Sequence, residues 1–99
     1  MDIKEIFEAM PVSMPQSEQD LISKAYDVAK AAHDGQKRNS GEPYFVHVFE
    51  TAKTLALLGM DAQTIASGLL HDVLEDTDTT EEEIRKDFNE DILFLIKGV

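Results

Sequence analysis

The run Leu69-Leu70-His71-Asp72-Val73-Leu74-Glu75-Asp76 constrains this chain more than any other segment. Apolar pairs alternate with polar pairs, and that spacing suits a helix with an apolar side and a polar side. On one continuous helix Asp72 and Glu75 are i,i+3 neighbours, while His71/Glu75 and Asp72/Asp76 are i,i+4 neighbours. Imidazole and carboxylates then gather on one side, and Leu69, Leu70, Val73 and Leu74 fill the rest. The apolar neighbours put the polar cluster partly under cover. Charge placed there needs a partner, and a divalent cation is an efficient one.

Helical periodicity organises the remaining chain as well. Residues 2–10 predict a short helix with Ile3, Ile6, Phe7 and Met10 on one side, ended by Pro11. Ser17 is the expected N-cap of a second helix over 17–33, where Leu21, Ile22, Ala25, Tyr26, Val28, Ala29 and Ala32 recur at a helical period. A polar loop over 36–42 follows. Pro43 is expected at the first position of a third helix that Gly59 ends. Asp61 caps a fourth helix running through Ile65, Leu69, Leu70 and Val73. Thr80 with Glu83 forms a capping-box pattern for a fifth, and residues 89–99 begin a sixth. The fold class is therefore all-α, a helical bundle with short loops.

With 99 residues the chain holds one domain at most, and no apolar run approaches a bilayer's width. We divide it into a short helix and linker over 1–16 and the main unit over 17–99. There is no cysteine, which excludes disulfides and thiolate metal sites and fits a cytoplasmic protein. The net charge of −11 argues against a nucleic-acid surface, and nothing points to a membrane partner. Lys30, Lys37 and Arg38 nonetheless concentrate positive charge in the first half, where it can steer a phosphate compound towards an acidic metal centre.

His47 is the second histidine of interest. It lies about twelve residues before Gly59, and His71 lies as far after it, so a helical hairpin folded at Gly59 brings the two level. Two imidazoles and a carboxylate suit manganese, iron, zinc or nickel, and three ligands leave positions open for water or substrate. His33, Tyr26 and Phe45 are expected to be structural, and Glu81-Glu82-Glu83 to be a solvated first helical turn.

His33, Gly35-Gln36, Arg38, Ser40-Gly41-Glu42-Pro43-Tyr44, His47, Leu70-His71-Asp72-Val73 and Glu75-Asp76-Thr77, in that order, resemble the HD-type hydrolase domain of the RelA/SpoT alarmone enzymes. The likeness runs from about Tyr26 to Val99. It implies an HD-domain-like bundle and manganese-dependent removal of the 3′-pyrophosphate from guanosine tetra- or pentaphosphate. His47, His71 and Asp72 match metal ligands of that family. Glu75 and Asp76 match its catalytic acidic pair. Arg38 and Ser40 match positions that hold the guanine base, with Tyr44 close by. Asn39 stands where a lysine is common, and Val48 where a proline is common.

The family's fourth ligand, an aspartate, and the helices that close the pocket are expected beyond Val99. The chain then reads as the N-terminal part of the domain, weakly metal-binding and nearly inactive alone. The apolar side of Ile92, Phe94, Leu95 and Ile96 is expected to make it a homo-oligomer. The alternatives are an HD-type phosphohydrolase for another nucleotide, or a catalytically silent helical module that self-associates or regulates a partner.

Overall fold

The structure, a computed structural model, describes residues 2–98. Among them are seven helices and no strand: α1 Lys4–Ala9, α2 Gln16–Ala32, α3 Tyr44–Leu57, α4 Ala62–Leu70, α5 Val73–Asp76, α6 Glu81–Asp87 and α7 Glu90–Lys97. No helix among these residues is long and apolar enough to cross a membrane. The expected end of the last helix at Val99 lies outside the described residues.

Helix α4 is the centre of the bundle and packs against α2, α3 and α7. Its sequence explains why. Ala62, Ile65, Ala66, Ser67, Gly68, Leu69 and Leu70 are all buried, so this helix is covered all round. Small residues let α3 come close: a Cβ built on Gly68 would lie 2.5 Å from Leu55 Cδ1. Around α4 the core gathers Ile22, Ala25, Tyr26 and Ala29 from α2, Phe45, Val48, Phe49, Ala52 and Ala56 from α3, and Ile92 and Leu93 from α7. The Tyr26 and Phe45 rings meet edge to face with centroids 5.3 Å apart, inside the core.

The hairpin between α3 and α4 turns at Gly59, which adopts φ +76°. The Met60 amide donates to the Leu55 carbonyl and the Gly59 amide to that of Ala56, a Schellman pair that only a left-handed residue closes comfortably. Asp61 then caps α4 by accepting the Thr64 amide at 2.8 Å. Thr80 caps α6 through the Glu83 amide and also donates its hydroxyl to the Glu83 carboxylate. Asn89 caps α7 through the Ile92 amide.

Four expectations need correction. Helix α2 starts at Gln16 with Pro15 as its cap, so Ser17 lies inside the first turn; the Pro15 carbonyl accepts the Glu18 and Gln19 amides. Pro43 is likewise the cap of α3 rather than its first helical residue, because its ψ of 135° is extended. The helix of the His-Asp run is not continuous. Helix α4 stops at Leu70, Asp72 takes φ −102° and ψ −2°, and α5 resumes for one turn. Finally, the last helix does not expose Ile92, which is fully buried; Phe94 and Leu95, at 56% and 46% exposure, are the open apolar residues.

Asp61 offers a direct check on the cap of the central helix. Hydrogen bonds from the Thr64 hydroxyl and then its amide hold this carboxyl below its ordinary value of 3.8. A depressed carboxyl stabilises the fold above its unfolded pKa and loses that contribution as pH falls through its folded pKa. Asp61→Ala is therefore expected to cost about 1 kcal/mol at neutral pH. The gap from the native chain should narrow as acid takes the pH below 3.8. Urea unfolding across that range measures both, and a gap that stays constant with pH contradicts this role.

Candidate metal centre

The break between α4 and α5 presents a histidine and an aspartate side by side. The His71 ring turns back so that its Nδ1 lies 2.6 Å from the Gly68 carbonyl oxygen, the acceptor that an unbroken helix offers to the Asp72 amide. A carbonyl only accepts, so Nδ1 carries the proton and Nε2 is left facing outward. Nε2 lies 3.1 Å from Asp72 Oδ2. Both atoms are electron-rich when the imidazole is neutral, so a proton or a cation belongs between them.

His47 comes from the facing helix α3, and its ring centroid is 6.2 Å from that of His71. One ligand-type atom from each of His47, His71 and Asp72 lies within 4.8 Å of the others, and all three residues are half-buried. The donor set fits a divalent ion: two imidazole nitrogens, one already oriented through its second nitrogen, and one carboxylate.

Tyr44, on the first turn of α3, donates its hydroxyl to Asp72 Oδ2 at 2.5 Å. That hydrogen bond, then partial burial, then the charges of Asp72 and Asp76, raise the phenol above its ordinary value of 10. Tyr44 therefore remains a neutral donor at physiological pH. Glu75 and Asp76 sit on the single turn of α5 and are exposed.

Arg38 and Ser40 stand apart from this cluster on the exposed loop between α2 and α3. The loop is shaped by backbone bonds: the Arg38 amide donates to the Glu42 carbonyl and the Gly41 amide to that of Arg38, with a bridge between Lys37 and Pro43. A cavity of about 240 Å³ beside the loop is lined by Lys30, His33, Asp34, Gln36, Lys37 and Phe45 among others. It contains none of the three ligand-type residues and is no part of the cluster.

Sequence reasoning did not single out Gln36 as a site residue. Its carbonyl accepts the Tyr44 amide, its Oε1 meets His33 Nδ1 at 3.0 Å, and its Nε2 donates to the Asp76 carbonyl at 2.6 Å. The available signal was its place between a histidine and a loop that returns to Tyr44. His33 is buried, bonded to this loop residue as expected, and its ring lies 5.0 Å from that of Tyr44.

This fold, an all-helical bundle with a His-Asp pair between two helices and a histidine on the helix before it, defines a class. Residues 25–99 match the HD domain family, and the chain belongs to that family. Its relatives narrow the class. The guanosine-3′,5′-bis(diphosphate) 3′-pyrophosphohydrolase of Aquifex aeolicus (strain VF5) is 46% identical over the whole chain, which covers 14% of that protein. A GTP pyrophosphokinase of Myxococcus xanthus is 46% identical over 86% of the chain and 11% of its own length. A solved structure, described as a metazoan ortholog of SpoT that hydrolyzes ppGpp, superposes with a TM-score of 0.75 at 28% identity. That match covers 87% of this chain and 49% of the other. The chain thus spans a small part, 14% and 11%, of these curated relatives.

Tyr44→Phe tests the local geometry without any metal. It removes the hydroxyl from a charged acceptor, so a stability loss of about 1–2 kcal/mol is expected, with helical circular dichroism unchanged. Unaltered urea unfolding in that variant would mean that the Tyr44–Asp72 bond does not form in solution.

Proposed function

We propose that this chain carries the metal-binding part of a hydrolase domain that removes the 3′-pyrophosphate of guanosine tetra- or pentaphosphate, giving GDP or GTP and pyrophosphate. The observation that carries this reading is the convergence of His47, His71 and Asp72. The names of the relatives and of the solved structure supply the substrate class.

In this reading His47 and His71 offer ring nitrogens and Asp72 a carboxylate oxygen to a divalent ion, which we take to be manganese. Such an ion supplies Lewis acidity towards a phosphoryl oxygen and acidifies water. The protein's own groups do the rest. Tyr44 holds the Asp72 carboxylate by its hydroxyl. Glu75 or Asp76 orients the attacking water and takes its proton as the new P–O bond forms and the bond to the 3′ oxygen breaks. Arg38 and Ser40 grip the guanine base, the guanidinium plane stacking on the purine. We assign the protein to the cytoplasm along with this substrate. Self-association is proposed through the exposed Phe94 and Leu95.

The described residues supply one carboxylate to the cluster, and a hard ion such as manganese favours more. Weak manganese binding and little turnover are expected of this chain by itself. Manganese binding by electron paramagnetic resonance, with hydrolysis of guanosine tetraphosphate followed alongside, tests the assignment. Asp72→Ala should lose the ion, and Glu75→Ala should keep it while losing any rate. Equal retention of manganese by the native chain and by Asp72→Ala would sink the assignment. Sedimentation of Phe94→Ser against the native chain tests the association. A native chain that is monomeric at high concentration would refute it.

A further inference from the structure

We propose that Gln36 is a positioning residue for the acidic pair Glu75-Asp76, a role that rests on the hydrolase reading above. The acidic pair lies on a helix of four residues, Val73–Asp76. A single turn has almost no stability of its own, so its placement must come from ties to other elements. Within α5 the Asp76 amide donates to the Asp72 carbonyl at 2.9 Å, and the Thr77 hydroxyl donates to the Val73 carbonyl at 2.5 Å. Neither bond fixes the turn relative to α2 or α3.

Gln36 does. Its side-chain amide donates to the Asp76 carbonyl across forty residues of sequence, at 2.6 Å. Its own backbone carbonyl accepts the Tyr44 amide at 2.9 Å, and Tyr44 in turn holds Asp72. One residue thus ties the end of α5 to the start of α3. The direction of the side chain is fixed as well. Because Nε2 is spent on Asp76, Oε1 faces His33 Nδ1 at 3.0 Å and must accept from it. His33 is therefore held with its proton on Nδ1. Its buried Nε2, which has no hydrogen-bond partner, is then the acceptor nitrogen of the ring. The buried imidazole sets the amide, and the amide sets the carbonyl of the catalytic turn.

This chain of bonds makes a separable prediction, because Gln36 touches none of the three ligand-type residues through its side chain. Gln36→Leu removes both side-chain bonds. Gln36→Glu keeps the acceptor for His33 but loses the donor to Asp76. Amide hydrogen exchange of the native chain and both variants reads the tie through local opening of the α5 turn. The Asp76 amide keeps its own bond to the Asp72 carbonyl, but the turn that carries it should open about fivefold to tenfold more often without the Gln36 tie, so this amide should exchange faster by that factor in both variants while α4 amides keep their rates. In parallel, manganese affinity should hold while whatever turnover (kcat) of guanosine tetraphosphate the native chain shows falls.

Unchanged Asp76 exchange in both variants overturns the proposal, as does faster exchange with kcat intact. Equal acceleration across α4 also overturns it, since that would be general loosening. A native chain that binds no manganese even at high concentration defeats the hydrolase reading instead. The Asp76 amide then decides the tie on its own.

Discussion

The close contact of α3 with α4 at Gly68 joins the packing of the fold to the cluster. A Cβ at that position would come within 2.5 Å of the Leu55 Cδ1 tip and 3.9 Å of Thr51 Cγ2, so α3 passes close over the glycine and the Leu55 side chain occupies the space a side chain at 68 would need. The carbonyl of the same residue accepts the His71 ring and ends the central helix. Backbone and missing side chain therefore act at one point. The helices approach, and the chain breaks where the imidazole must face His47. A larger residue at 68 would first displace the Leu55 side chain from its place over α4.

Much of this was legible in the sequence. The helices follow from apolar periodicity, and the caps at Asp61 and Thr80 follow from side chains that accept amides three residues on. The hairpin at Gly59 brings His47 level with His71, as counting along two antiparallel helices implies. The end of α4 was not legible. Leu69, Leu70, Val73 and Leu74 keep helical spacing across it, and neither glycine nor proline marks it. The terminator is a side chain bonding its own backbone three residues earlier, which competes with the helix without leaving a pattern.

The caps at Pro15 and Pro43 were displaced for a related reason. Proline fixes φ near the helical value, so ψ alone decides whether it is the first helical residue or the cap, and sequence does not report ψ. The exposed side of α7 was misjudged because five consecutive apolar residues, 92–96, leave no polar side to orient the helix; the core around α4 takes Ile92 and Leu93. Gln36 was matched as part of the motif but given no role, because its bonds run to His33, Tyr44 and Asp76, and only the folded chain brings those together.

The central claim is that His47, His71 and Asp72 hold a divalent cation in a protein of net charge −11, where other carboxylates compete for it. Manganese titrated into chain labelled with nitrogen-15 at histidine tests it most directly, because a paramagnetic ion broadens the nuclei nearest to it. The ring signals of His47 and His71 should disappear at the lowest manganese levels, while those of His33 persist longer. Backbone amides recorded in parallel give the contrast. Broadening that begins at the acidic first turn of α6, at Glu81, Glu82 and Glu83, with the His47 and His71 rings untouched, would contradict the account.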